Sequence, residues 1–175
     1  MTTYIALLRA VNVGGTGKLP MADLQAMCID LGFSDVRTYI ASGNVVFKSE
    51  LSATKVKASL EAKLATYAGK AVGVLLRTTP EMAAVLAANP FPHAAPNRTV
   101  AIFLNAPPPV DALVKVSGMN AEECRLGVRE IFVHYGDGMA DSKLKIPAAA
   151  MGTARNMNTV AKVLAMAQLL DAQNH

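Results

Sequence analysis

The chain has 175 residues, 52 % of them hydrophobic, and 17 Lys and Arg against 13 Asp and Glu give a net charge of +4. That length and apolar content exclude a disordered chain and suffice for one large domain or two small ones. The mild positive balance suits an anionic ligand and falls well short of a dedicated DNA binder.

Residues 4–10 are short and mostly apolar, as in a strand, with Arg9 at the end where its charge reaches solvent. Gly14, Gly15 and Gly17 then demand a turn, which also carries Asn12 and Lys18. Pro20 suits a first helical turn, and Met21, Leu24, Met27 or Cys28, and Leu31 recur at helical spacing. Gly32 stops this helix in a left-handed cap, with Phe33 placed to pack back on its last turn.

Residues 36–40 and 44–48 flank Ala41-Ser42-Gly43 as the arms of a short antiparallel hairpin. Ser52 caps the next helix, whose buried stripe is Val56, Leu60, Leu64 and Tyr67, and Gly69 ends it. A strand over 71–77 and a short helix over 79–88 follow. The order from residue 4 to 77 is β-α-β-β-α-β, that of a ferredoxin-like sandwich.

Residues 89–97, NPFPHAAPN, hold three prolines and form a junction between modules. A second cycle then starts with a strand over 99–105 and a helix over 110–116 behind three prolines. It continues with paired strands over 123–128 and 130–135, then helical sequence from about Ile146 and over 156–172. Its final strand is missing or replaced by the last helix, and no sequence repeat links the halves. The expected fold is α+β: two ferredoxin-like plaits with antiparallel sheets, packed as one compact unit. Residues 1–88 form the first, 89–97 the junction, and 98–175 the second with the C-terminal helix.

Several motifs together carry a resemblance: Arg9-Ala-Val-Asn-Val-Gly-Gly, GFSDVRTYIASGNVVF from Gly32, Asn89-Pro-Phe-Pro, Ser142-Lys-Leu and Gly152-Thr-Ala-Arg-Asn-Met-Asn-Thr-Val. The chain resembles the DUF1697 family of bacterial proteins over nearly its whole length. The resemblance implies the same pair of plaits and a family whose biochemical activity is not established. Two positions depart from the usual pattern: Ala10 stands for Gly and Met157 for Trp, which removes an aromatic stacking surface there.

The glycine turn fails as a phosphate loop, because residue 12 is Asn where the first glycine belongs and Leu19 follows Lys18 instead of Ser or Thr. Pro20 and the split βαβ context exclude a dinucleotide fingerprint. What remains is a tight turn or a loose anion nest of turn amides with Lys18. RNA recognition on the sheet would need aromatics where Asn44 and Val46 stand, although Tyr4 is in place. His93, His134 and His175 lack metal-ligand spacing, Ser42 lacks a nucleophile elbow, and Asp137 and Asp141 sit near each other in a Gly-rich turn. The sequence therefore names no catalytic residue, metal or cofactor.

Cys28 and Cys124 form no CxxC and read as free structural thiols. The expected setting is a soluble cytoplasmic protein, without membrane segments. The strongest polar cluster is Lys143 with Arg155-Asn156-Met157-Asn158, at the start of a helix whose stripe is Val160, Val163, Leu164, Ala167 and Leu170. Asn156 or Asn158 serves as its cap, and the remaining donors suit a phosphate or carboxylate.

Arg9, Asn12, Lys18, Lys143, Arg155, Asn156 and Asn158 are thus the expected ligand-binding residues, converging on one polar groove. The favoured reading is a non-catalytic protein binding a small anionic ligand or a partner. A phosphoryl- or nucleotide-handling enzyme using the same groove is the alternative, and RNA binding a remote third.

Overall fold

The structure, a computed structural model, describes residues 1–9 and 18–173. Its elements run β1 (Thr2–Leu8), α1 (Met21–Asp30), β2 (Ser34–Tyr39), β3 (Asn44–Ser49), α2 (Ala53–Ala68), β4 (Val74–Thr78) and α3 (Thr79–Ala87). Then come β5 (Thr99–Phe103), β6 (Glu123–Leu126), β7 (Glu130–His134), β8 (Thr153–Asn156) and α4 (Met157–Ala172). The strands form two antiparallel sheets, ordered β2-β3-β1-β4 and β6-β7-β5-β8. Two units result: residues 1–82 with 162–175, and residues 83–161.

In the first unit local chemistry sets the helix ends. Beyond α1, Gly32 takes φ 86°, its N–H donates to Ile29 O at 2.9 Å, and the Phe33 N–H donates to Cys28 O at 3.1 Å. This is a Schellman cap, and it aims Phe33 at Phe47, whose ring it stacks on at 4.3 Å. Ser52 accepts the Lys55 N–H at the start of α2, and Gly69 ends that helix at φ 71°. One face of the sheet (Tyr4, Ala6, Leu8, Val45, Phe47) packs on Leu24 and Cys28 of α1 and on Val56, Leu60 and Leu64 of α2.

Tyr67 departs from the expected stripe and is 47 % exposed. It lies in the last turn of α2, where its hydroxyl reaches out to the Asp23 carboxylate at 2.7 Å. Ile40 leaves the expected strand for the turn, at φ 48°.

Alternation puts Thr3, Ile5 and Leu7 on the opposite face, which is also buried. The second half of α4 lies over it. Lys162 Nζ stands 5.9 Å from the Tyr39 ring, and the Thr3 hydroxyl donates to Asp171 at 2.6 Å. Tyr39 pairs with Asn44, which pairs with Leu7. Nine helical residues span about 13.5 Å and four strand residues nearly the same, so α4 runs antiparallel to β1.

The second unit keeps the strand order and loses two helices. Residues 110–115 form turns, correcting the helix expected over 110–116. The Ala112 and Val114 N–H groups bond only three residues back, to Pro109 and Asp111, and Val110 and Val114 are 97 % and 83 % exposed. A single turn behind three prolines has too little buried face to repay helix nucleation. From Ile146 only a 3-10 turn forms, over Pro147–Ala149. Leu113, Leu144 and Ile146 from these irregular segments nonetheless pack on Val100, Ile102, Ile131 and Val133, where helices would otherwise lie.

The final strand, expected to be missing or replaced, is present as β8 and pairs with β5. The last helix follows it directly. Its stripe residues Val160, Val163, Leu164, Ala167 and Leu170 are all buried.

Candidate functional site

Three strand connections meet at one end of the first sheet, where β1 runs out. The Leu8 N–H donates to Gly43 O at 2.8 Å and the Arg9 N–H to Gly73 O at 2.9 Å. The backbone at Leu8 and Arg9 is thereby fixed between the 40–43 turn and the start of β4, and Arg9 is half-buried. Its Cβ and Cδ lie 3.6 Å from where a Cβ on Gly73 would stand, an ordinary van der Waals distance, so the arginine stem runs alongside Gly73.

The turn beside it is braced from within the core. Asn44, fully buried, donates from Nδ2 to Tyr39 O at 2.8 Å and to Ser42 Oγ at 2.9 Å. This bracing holds a turn that contains two positive φ angles, at Ile40 and Gly43. Tyr39, on the same cross-strand row as Asn44, carries Lys162 over its ring. The end of this sheet thus gathers a half-buried arginine, a lysine, a buried amide and a hydroxyl. Lys18 is exposed at the foot of α1, and Asn12 and the glycine cluster lie outside the described residues.

The other four expected residues belong to the second unit. Asn156 is the cap of α4, accepting the Thr159 N–H at 2.9 Å. Asn158 and Lys143 are exposed. Arg155, expected from sequence to be one of the ligand-binding donors, is a β8 residue only 7 % exposed. Its Nη1 donates to Thr153 Oγ1 at 2.7 Å and to Ala154 O at 2.9 Å. Burial lowers its pKa from 12.5 to about 10, which leaves it cationic at neutral pH.

Ser142, at the head of the Lys143 motif, is a clasp. It donates to Glu122 at 2.6 Å, the Asn120 N–H donates to the same carboxylate at 2.8 Å, and Ser117 and Lys145 exchange backbone bonds. These bonds, the Ser142 hydroxyl first, hold the Glu122 carboxyl below its ordinary pKa. Gly118, at φ 70°, lets the two segments touch, since a Cβ there would collide with the Lys143 carbonyl.

A cleft of about 370 Å³ opens at the other end of the first sheet, among Met1, Leu31, Gly32, Ser34, Ser49, Glu50 and Leu51. Its one charged side chain is the Glu50 carboxylate. Among the described residues no His, Cys, Asp and Glu cluster could hold a metal ion, and no helix is long and apolar enough to cross a membrane.

The family model for DUF1697, a protein of unknown function, matches residues 1–132. The chain belongs to the DUF1697 family. A solved structure of similar fold is SP0830, a conserved bacterial protein from Streptococcus pneumoniae. It is 27 % identical, with a TM-score of 0.79 over 96 % of this chain and 99 % of that one. No curated protein matches the chain.

The DUF1697 match takes in Arg9 and the Ser42-Gly43-Asn44 turn. Met157 is 3 % exposed, a packing position at the start of α4. Sequence reasoning missed Asn44 and Lys162 as parts of the site. Ser42-Gly43-Asn44 was visible as hairpin chemistry, but nothing local tells a turn that braces a site from one that merely reverses the chain. Lys162 had no signal, because a lysine on a helix face is the commonest exposed residue.

Proposed function

We propose that this protein is a non-catalytic ligand- or partner-binding protein whose anion-accepting site lies where β1 ends, with Arg9 at its centre and Asn12 and Lys18, which follow it in sequence, as further donors. The observation that carries this reading is the backbone anchoring at this end of the strand, where Leu8 bonds to Gly43 and Arg9 to Gly73, so that a half-buried arginine stands directly before a glycine-rich sequence. A guanidinium carried on a fixed strand end can pair with a carboxylate or phosphate through charge-assisted hydrogen bonds. Lys162 over Tyr39 adds a second cation on the same side of the sheet. Lys143 and Asn158 are exposed donors in the second unit, while Asn156 and Arg155 hold structure.

The strand order supports reading each sheet as a ferredoxin-like plait, the second with loops in place of its two covering helices. The mild positive charge and the absence of a spanning helix among the described residues agree with a cytoplasmic setting.

Calorimetric titration with inorganic phosphate and sulfate tests the site. Binding should weaken as salt rises, ignore magnesium, and lose roughly 1.5 to 3 kcal/mol in Arg9→Ala, the worth of a charge-assisted hydrogen bond. Unchanged anion binding by Arg9→Ala would refute the assignment. Magnesium-dependent turnover of a phosphoester would favour the phosphoryl-handling alternative. Native mass spectrometry of copurified material identifies the ligand.

A further inference from the structure

Along an antiparallel edge strand, residues alternate between those bonded to the neighbouring strand and those whose N–H and C=O point away from the sheet. Backbone bonds fix this phase on all four edges. Arg9 to Gly73 puts Leu75 and Arg77 inward on β4, so Leu76 points outward. Gly127 to Glu130 puts Arg125 inward on β6 and Cys124 outward. Leu104 to Arg129 makes Ala101 face Arg155, leaving Ala154 outward on β8. Leu8 to Gly43 makes Val46 face Arg37, leaving Val36 outward on β2.

On each edge the residue after an outward carbonyl is an arginine, and its Nη1 donates back to that carbonyl. Arg37 reaches Val36 O at 3.1 Å, Arg77 Leu76 O at 2.9 Å, Arg125 Cys124 O at 2.8 Å, and Arg155 Ala154 O at 2.9 Å. The four also share a register. Arg37, Val46, Ile5 and Arg77 form one row across the first sheet, and Arg125, Phe132, Ala101 and Arg155 the matching row across the second. Other outward groups are met in the same way: Glu61 takes the Val74 N–H at 3.0 Å, Glu81 the Thr78 N–H at 2.8 Å, and Gln25 gives Val36 O a second donor at 3.2 Å.

An unpaired edge carbonyl is a template for another strand's N–H. We propose that these arginines are edge guards, and that Arg37 and Arg125, the two exposed ones, keep the sheets from pairing edge to edge with a second copy of this chain. Arg125 is itself held in its guarding position, 5.8 Å over the Phe91 ring and 3.8 Å from the Glu123 carboxylate. Arg77, at 2 % exposure, and Arg155, at 7 %, satisfy the corresponding carbonyls on β4 and β8, where the arginine itself is buried.

Sedimentation velocity over a concentration series tests the guard in the double variant Arg37→Ala/Arg125→Ala. Lys55→Ala/Lys70→Ala, at exposed positions off the strands, removes the same two charges and serves as control. The arginine variant should self-associate at about tenfold lower concentration than parent or control, and Arg37→Lys/Arg125→Lys should fall between. Circular dichroism at low concentration should match the parent, since both arginines are exposed. In the associated form the outward Cys124 N–H should become protected from hydrogen exchange. The proposal is overturned if the arginine variant associates no more than the control, or associates without that protection.

Discussion

Asn44 offers the sharpest test of how the site is held, because it is a fully buried polar side chain in a strand. Replacing it with Ala deletes the bonds to Tyr39 O at 2.8 Å and Ser42 Oγ at 2.9 Å. Each neutral hydrogen bond contributes about 0.5 to 1.5 kcal/mol net. Relaxation of the 40–43 turn and a small void add to this, so Asn44→Ala should cost roughly 1.5 to 3 kcal/mol. For a chain of this size the melting midpoint should fall by about 4 to 10 °C. Asn44→Asp keeps the shape but replaces two donors with a buried carboxylate facing two oxygens, so it should cost more than Ala. Urea denaturation followed by circular dichroism measures both. A loss under about 0.5 kcal/mol in the Ala variant, or an Asp variant no worse than Ala, would refute the bracing role.

Leu24→Ala and Leu60→Ala, both at fully buried positions, should each cost about 2 to 5 kcal/mol. Lys57→Ala loses only a partly exposed i,i+4 pair with Glu61 and should stay within about 0.5 kcal/mol by the same denaturation assay. Asn156→Ala should cost about 1 kcal/mol as a lost cap, whereas Asn158→Ala at the exposed neighbouring position should be nearly silent. Glu122, held below its ordinary pKa by Ser142, stabilises the fold above about pH 4.5, and that contribution is lost as pH falls through its folded value. The stability gap between the parent and Glu122→Gln should therefore shrink below about pH 4.5, and a gap constant from neutral to acid would contradict the clasp.

The sequence by itself determined the helices with local signals and the first sheet they pack on. Gly32-Phe33, Ser52 and Gly69 act within a few residues of themselves, and the stripes of α2 and α4 are read from periodicity, so no distant partner was needed. The Arg9 end of β1 was legible too, as a charge placed before a glycine turn. Tertiary structure decided the rest. Residues 110–116 carry a plausible local helix and have too little surface to bury it against. Thr153–Asn156, TARN, looks like nothing in particular, and is a strand because β5 offers it a ladder. That pairing is also what buries Arg155 and turns an expected ligand-binding donor into an edge residue. The arginine rows show the same limit: Arg37 and Arg77 become equivalent only when β3 and β1 are threaded between them. A helix is closed by bonds a few residues long, whereas a strand's partners, register and edge are set by chain segments far away, and so lay beyond what local sequence can encode.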